Sequence, residues 1–145
     1  MEFIMLVGMP GSGKSTLAQQ FVQKGYVLLS PDGIRNELDI HGEDKTQDIL
    51  QITEDRLLEC LQKHQNIILD STNLTISRRR RFLSLVKDFD YHKVCYVLNT
   101  PLNECKERNA LRTGFDFVPD EGYDRMEQIY QRPIYKEGWD EIITL

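Results

Sequence analysis

Near the start of the chain, Gly8-Met9-Pro10-Gly11-Ser12-Gly13-Lys14-Ser15 sets glycines, a lysine and a hydroxyl at the spacing G-x-x-x-x-G-K-[ST]. Glycines let a backbone turn successive N–H groups inward, which makes a nest for anions. A helix opening at Lys14 adds the positive end of its dipole at the same point. In that frame Lys14 reaches the outer phosphates of ATP and the Ser15 hydroxyl ligates Mg²⁺. Gly11, Ser12, Gly13, Lys14, Ser15 and Thr16 are therefore the expected nucleotide-binding residues. The competing explanation, a chance glycine-rich turn, fits the flanks badly. An apolar run, Phe3 to Val7, stands directly before the motif and a helix-length segment directly after it.

Three further constellations could complete a phosphoryl-transfer site. In Ser30-Pro31-Asp32-Gly33-Ile34-Arg35, Ser30 can cap a helix that Pro31 starts. Asp32 then lies in the first turn with Arg35 one turn on, along the same face. Asp32 could take the proton of an attacking hydroxyl, and Arg35 could hold an anionic part of the acceptor; a helix-start aspartate serving the dipole is the alternative. Ile67-Ile68-Leu69-Asp70 is an apolar run ending in a carboxylate, placed to hold Mg²⁺ or its water together with Ser15. Arg108 and Arg112, four apart before Thr113-Gly114, suit a small helical lid over about 108–120 that closes on the ATP phosphates. A solvated basic helix end is the alternative there. Arg78-Arg79-Arg80-Arg81 could guide a polyanion, although a run of four must point around most of a helix, so one member at least belongs to the surface.

To position these residues the chain needs alternating elements. Phe3–Val7, Tyr26–Leu29, Asn66–Leu69 and Lys93–Leu98 read as short buried strands, and Ile142–Leu145 as a possible fifth. Lys14–Lys24, Thr46–His64 and Ser77–Asp88 read as amphipathic helices. A helix from Asn99-Thr100-Pro101 to about Arg112 follows, with Thr100 or Asn99 as a polar cap, and a last one runs from Pro119 to about Gln131. Strands this short, joined by crossover helices, imply an α/β fold with a parallel sheet of four or five strands covered on both faces. Ligands bind beyond the carboxyl ends of such strands, which ranks the loops at 8–15, 30–35, 70–73 and 99–101.

With 145 residues, 40% hydrophobic and 28% charged, the chain supports one domain over residues 1–145. No stretch approaches the roughly 20 apolar residues of a membrane span, and the first residues run into the motif and not into a cleavage site, so a cytoplasmic protein is expected. A net charge of −5 argues against an extended non-specific grip on nucleic acid, leaving room for a small or end-only contact. Cys60, Cys95 and Cys105 sit among apolar neighbours without a Cys-x-x-Cys pair and read as buried reduced thiols. His41, His64 and His92 share no zinc-ligand spacing. Trp139 reads as a packing anchor.

With these residues laid out, the chain resembles the 5′-hydroxyl polynucleotide kinase branch of the P-loop kinases, relatives of the zeta-toxin and adenylate-kinase-like enzymes. The resemblance covers most of the chain. It rests on Gly8 to Thr16, Asp32 with Arg35, Asp70-Ser71-Thr72-Asn73-Leu74, Arg108-Asn109 with Arg112, and Glu137-Gly138-Trp139-Asp140-Glu141-Ile142, in the family's order. It implies a three-layer adenylate-kinase-like sandwich, Asp32 as general base, Arg35 on the acceptor's 3′ phosphate and Arg112 on the ATP phosphates. It also implies the 5′-hydroxyl ends of RNA or DNA as substrate, and a separate phosphatase or ligase partner, because no such module fits in these residues. Ser71 departs from the phage pattern, in which the aspartate directly precedes Thr-Asn, so the resemblance carries least at Asp70. The same landmarks resemble kinases of other hydroxyls, including aminoacyl-tRNA and sugars; an ATP-binding switch protein is a further class.

Overall fold

The computed structural model describes residues 1–145, the side chain of Phe115 excepted. Five parallel strands form one sheet: β1 (Glu2–Val7), β2 (Val27–Leu29), β3 (Ile67–Leu69), β4 (His92–Val97) and β5 (Glu141–Thr144), in the spatial order β2-β3-β1-β4-β5. The helices are α1 (Lys14–Gln23), α2 (Pro31–Leu38), α3 (Thr46–Gln62), α4 (Ile76–Val86), α5 (Leu102–Asn109) and α6 (Asp120–Ile129).

The centre of the sheet follows from β1. Phe3, Met5 and Val7 face one side and Ile4 and Leu6 the other, so alternation along a single strand feeds two cores. The first face packs on Leu50, Leu57 and Leu61 of α3, on Phe82, Leu83 and Val86 of α4, and on Trp139. The opposite face carries Ala18, with Leu17, Phe21 and Val22 of α1 packed beside it. Leu57 and Leu61 have no exposed surface; truncating either to alanine should cost about 2–5 kcal/mol.

β1 pairs β3 in the register Met5↔Leu69 and β4 in the register Val7↔Val97. The carboxyl ends of the three middle strands therefore lie side by side, and the loops leaving them meet at one edge. The order changes direction at β1: the chain moves to one side for β3 and β2, and to the other for β4 and β5. A crevice opens outside the strand ends at such a reversal. The loop after β1 is residues 8–13. Among the described residues, no helix is long and apolar enough to cross a membrane.

Candidate active site

The loop between β1 and α1 is held from behind. Gly11 and Gly13 take φ values of +81° and +100°, a region that side chains with a Cβ resist. A Cβ on Gly11 would stand 2.5 Å from the carbonyl oxygen of Cys105 in α5, so only glycine fits the contact. Three outward carbonyls of the loop are bonded from elsewhere: Tyr123 donates to Pro10 O at 2.7 Å, Arg108 Nη1 to Gly11 O at 3.1 Å, and Thr100 Oγ1 to Ser12 O at 2.7 Å. The amides of Gly8 and Ser12 donate to Thr72 O and Met9 O, both at 3.1 Å, so tying the carbonyls down on one side leaves the amides of Gly11 and Gly13 for the other, as an anion cradle requires. The Ser12 hydroxyl is buried against Gly8 without a hydrogen-bond partner among the described residues.

Lys14 is 8% exposed, and its Nζ donates to Met9 O at 2.8 Å. Burial lowers its pKa to about 8, opposed by Asp70 and Asp32 and assisted by the like charge of Arg112. A desolvated lysine at the mouth of an amide nest is poised for an anion.

Asp70 leaves β3 with its amide bonded to Leu29 O at 2.8 Å, which fixes the carboxylate beside the loop. Its Oδ2 accepts from Ser15 Oγ at 3.1 Å. Burial raises its pKa, while Lys14 and the Ser15 hydroxyl pull it back. An adjacent hydroxyl and under-compensated carboxylate match the oxygen ligands that Mg²⁺ takes from a protein, few in number and completed by water and substrate phosphates. The donor set therefore fits Mg²⁺.

Two depressions meet here. One, of about 520 Å³, runs along Gly11 to Thr16 with Gln20, Arg108 and Arg112 on its walls. The other, of about 580 Å³, is walled by Asp32, Arg35, His41, Thr46, Thr72 and Arg78, among others. Ser15 and Arg112 line both. Asp32 is exposed in the first turn of α2, whose start is capped by Ser30 Oγ accepting from Gly33 N at 3.0 Å. Arg35 is held in its wall by bonds from Nη1 to Gly42 O at 3.1 Å and from Nη2 to Thr46 Oγ1 at 2.8 Å. The two depressions thus share a hydroxyl, that of Ser15, and a guanidinium, that of Arg112.

Residues 3–133 match the AAA_33 family, an AAA domain. The chain belongs to that family. Among named relatives, this AAA_33 chain is 29% identical over 143 residues to the L-seryl-tRNA(Sec) kinase of Methanococcus maripaludis, across 94% of its own length and 55% of that protein. It is 27% identical over 145 residues to the bifunctional polynucleotide phosphatase/kinase of Schizosaccharomyces pombe, across 97% of its own length and 32% of that protein. The chain thus spans about half of the first relative and about a third of the second. In three dimensions it matches a chain of the Pnkp1/Rnl/Hen1 RNA repair complex with a TM-score of 0.75 and 22% identity, over 88% of this chain and 43% of that one, a likeness of fold. Family and sheet order together make this AAA_33 member a P-loop domain, similar in fold to kinases.

Most residues singled out from the sequence of this AAA_33 chain gather at the two depressions: Gly11 to Thr16, Arg108 and Arg112 at one, Asp32, Arg35 and Arg112 at the other, with Asp70 against Ser15. Two details differ, and the arginine run divides as its helical geometry requires. Arg108 and Arg112 do not share a helix, because α5 ends at Asn109. The Asn109 side chain brackets the backbone of Val118, accepting from its N–H at 2.9 Å and donating to its carbonyl at 2.6 Å, which turns the chain before another helical turn can form. Arg112 sits in that turn, its Nη1 reaching Asp116 O at 3.5 Å. Thr100 caps no helix; its hydroxyl serves Ser12 O instead, and Pro101 stands at the N-cap of α5. Within the run Arg79 is fully buried against Glu137, Arg81 pairs with Glu54, Arg80 is exposed, and only Arg78 lines the depression of Asp32.

Cys60, Cys95 and Cys105 are buried thiols and Trp139 packs in the core. Sequence reasoning missed Tyr123, whose fully buried hydroxyl supports Pro10 from 113 residues away. It named Asn73 without a role; at φ 49° this residue donates from Nδ2 to Leu6 O at 2.8 Å. The signal for Asn73 was present, since asparagine tolerates the left-handed region; for Tyr123 there was none.

Proposed function

We propose that this P-loop kinase domain moves the γ-phosphate of ATP to the 5′-hydroxyl end of RNA or DNA. The observation that carries the reading is the sharing of Ser15 and Arg112 by the groove of the phosphate loop and the cleft of Asp32, so that donor and acceptor meet at their junction. The amides at Gly11 to Thr16 and the Lys14 ammonium bind the phosphates, with Arg108 and Arg112 alongside. Asp32 accepts the proton of the attacking hydroxyl, and Arg35 orients an anionic group of the acceptor. Arg112 stabilises the charge that spreads over the transferred group. Ser15 and Asp70 would hold Mg²⁺, which would supply charge neutralisation for the phosphates. Residues from about 108 to 120 act as a lid in this scheme.

The 27% identity to a polynucleotide phosphatase/kinase supports a nucleic-acid end as acceptor. End healing by this domain then relies on a phosphatase or ligase acting in trans, in the cytoplasm. Incubation with γ-labelled ATP and 5′-hydroxyl oligonucleotides should move label to the oligonucleotide; absence of transfer to either RNA or DNA ends refutes the reading.

A second reading keeps the chemistry and changes the acceptor to a small or aminoacyl-tRNA hydroxyl. It draws on the 29% identity to an L-seryl-tRNA(Sec) kinase and on the net charge of −5. Competition between 5′-hydroxyl ends, seryl-tRNA and a sugar panel separates the two.

A further inference from the structure

Arg78 sits in the first turn of α4, one residue before the fully buried Arg79. Its neighbours in the run show how such a cation is normally accommodated. Arg79 grips both carboxylate oxygens of Glu137, at 2.6 and 3.1 Å, and Arg81 bonds Glu54 and Gln47. Arg80 is exposed and solvated. Arg78 has neither arrangement: it is half-buried, and among the described residues its guanidinium is bonded to no carboxylate or carbonyl. The charge it feels most is the like charge of Arg81, and burial already disfavours its charged form. A desolvated guanidinium without a counter-ion is costly, and its five donors in a planar fork match a phosphate.

Arg78 lines the 580 Å³ acceptor cleft together with Arg35, which comes from a different helix. Arg35 is already engaged with Gly42 and Thr46, so its remaining donors are directed and few. Among the cleft's walls only Asp32 and Asp116 carry negative charge. A neutral hydroxyl compound would leave Arg78 desolvated and unpaired.

We propose that Arg78 is a specificity-determining residue that binds a phosphate of the acceptor other than the one transferred, so that the acceptor is a phosphorylated alcohol. The inference rests on the Asp32 cleft being the acceptor site and does not require the alcohol to be nucleic acid.

The test uses two pairs of acceptors, thymidine 3′-monophosphate with thymidine and glucose 6-phosphate with glucose, turned over by the wild-type chain and by R78A, R78K and R80A. At least one phosphorylated member should be preferred by the wild type. R78A should then raise its KM by about 10- to 100-fold, the loss of a charge-assisted hydrogen-bond pair, with kcat and the KM for ATP nearly unchanged. R78K should recover part of the loss, since it restores the charge without the fork, and R80A, which removes the same charge from the exposed neighbour, should behave as wild type. Preference for the phosphorylated sugar alone would refute the polynucleotide reading and leave Arg78's role standing. A preference for the thymidine phosphate that survives R78A would do the reverse. Equal loss in R78A and R80A, equal loss on both members of a pair, or no turnover of any phosphorylated member overturns the proposal.

Discussion

The two sides of the junction are built on opposite principles. On the donor side the contacts are backbone and buried: Gly11 lies against Cys105 O, three loop carbonyls are bonded from α5, α6 and the loop between β4 and α5, and Lys14 is 8% exposed. On the acceptor side the functional groups are side chains, borne by α2, α4 and the connection between α2 and α3, with Asp32 exposed to solvent. A polyphosphate is the same in every reaction of this class, so a rigid mould can be shared; the acceptor differs, and exposed side chains can change without disturbing the core. The contrast explains how relatives with one phosphate loop can carry names that refer to different acceptors.

The strongest way to break this contrast is Asp32→Asn. With Asp32 as the proposed general base, this change should lower kcat by about 10²- to 10⁴-fold while ATP still binds, as a fluorescent nucleotide titration would report. A parallel loss of nucleotide binding would mean that the two sides are not separable. Gly11→Ala is the converse. At φ +81° and with a backbone carbonyl 2.5 Å from the new Cβ, the loop must move. ATP affinity should drop by about 100-fold or more, which corresponds to the roughly 3 kcal/mol expected of a displaced oxyanion donor. Calorimetry that found wild-type affinity would show the mould to be softer than its contacts imply.

Proton linkage sharpens the same comparison. Bound phosphates favour the charged form of Lys14 and raise its pKa from about 8 in the free protein. Binding is therefore accompanied by proton uptake above that value. Affinity should be full below about pH 8 and should then fall by up to about tenfold per pH unit. A flat affinity from about pH 7 to pH 9.5 would place the lysine in a more solvated setting. The smallest effect belongs to Tyr123→Phe, which leaves Pro10 O without its 2.7 Å partner. It should cost about 1–3 kcal/mol of stability in thermal unfolding, with little change in kcat.

The donor side was legible because its requirements are local. A phosphate loop needs glycines, a lysine and a hydroxyl within eight consecutive residues, and the strand before it needs an unbroken apolar run; both are visible in Phe3 to Ser15. The short strands were legible for the same reason, since burial on both faces leaves no room for polar residues at Ile67–Leu69. Asp32 and Arg35 were found through the helix start at Ser30-Pro31, and Asp70 through its strand. What stayed hidden depends on which distant elements pack together. Tyr123 reads as one more aromatic in an acidic helix until α6 is brought under the loop. The division of labour among Arg78 to Arg81 turns on where Glu137 and Glu54 fall, 58 and 27 residues away. Arg112 left its helix because of a bond pair between Asn109 and Val118 that no periodicity encodes.

The fully buried Arg79 has a temporal implication. Besides Glu137 it bonds Asn73 O at 2.9 Å and Gln131 O at 2.8 Å, and Asn73 in turn holds Leu6 at the end of β1. During synthesis this guanidinium emerges long before its carboxylate, and until the stretch around Glu137 arrives it has no place in a dry interior. The turn at Asn73 that ties off the end of β1 is thus completed only after a contact spanning 58 residues has closed. A nascent chain carrying the complete nucleotide motif would still be a poor receptor for nucleotide, and competence would come late and all at once.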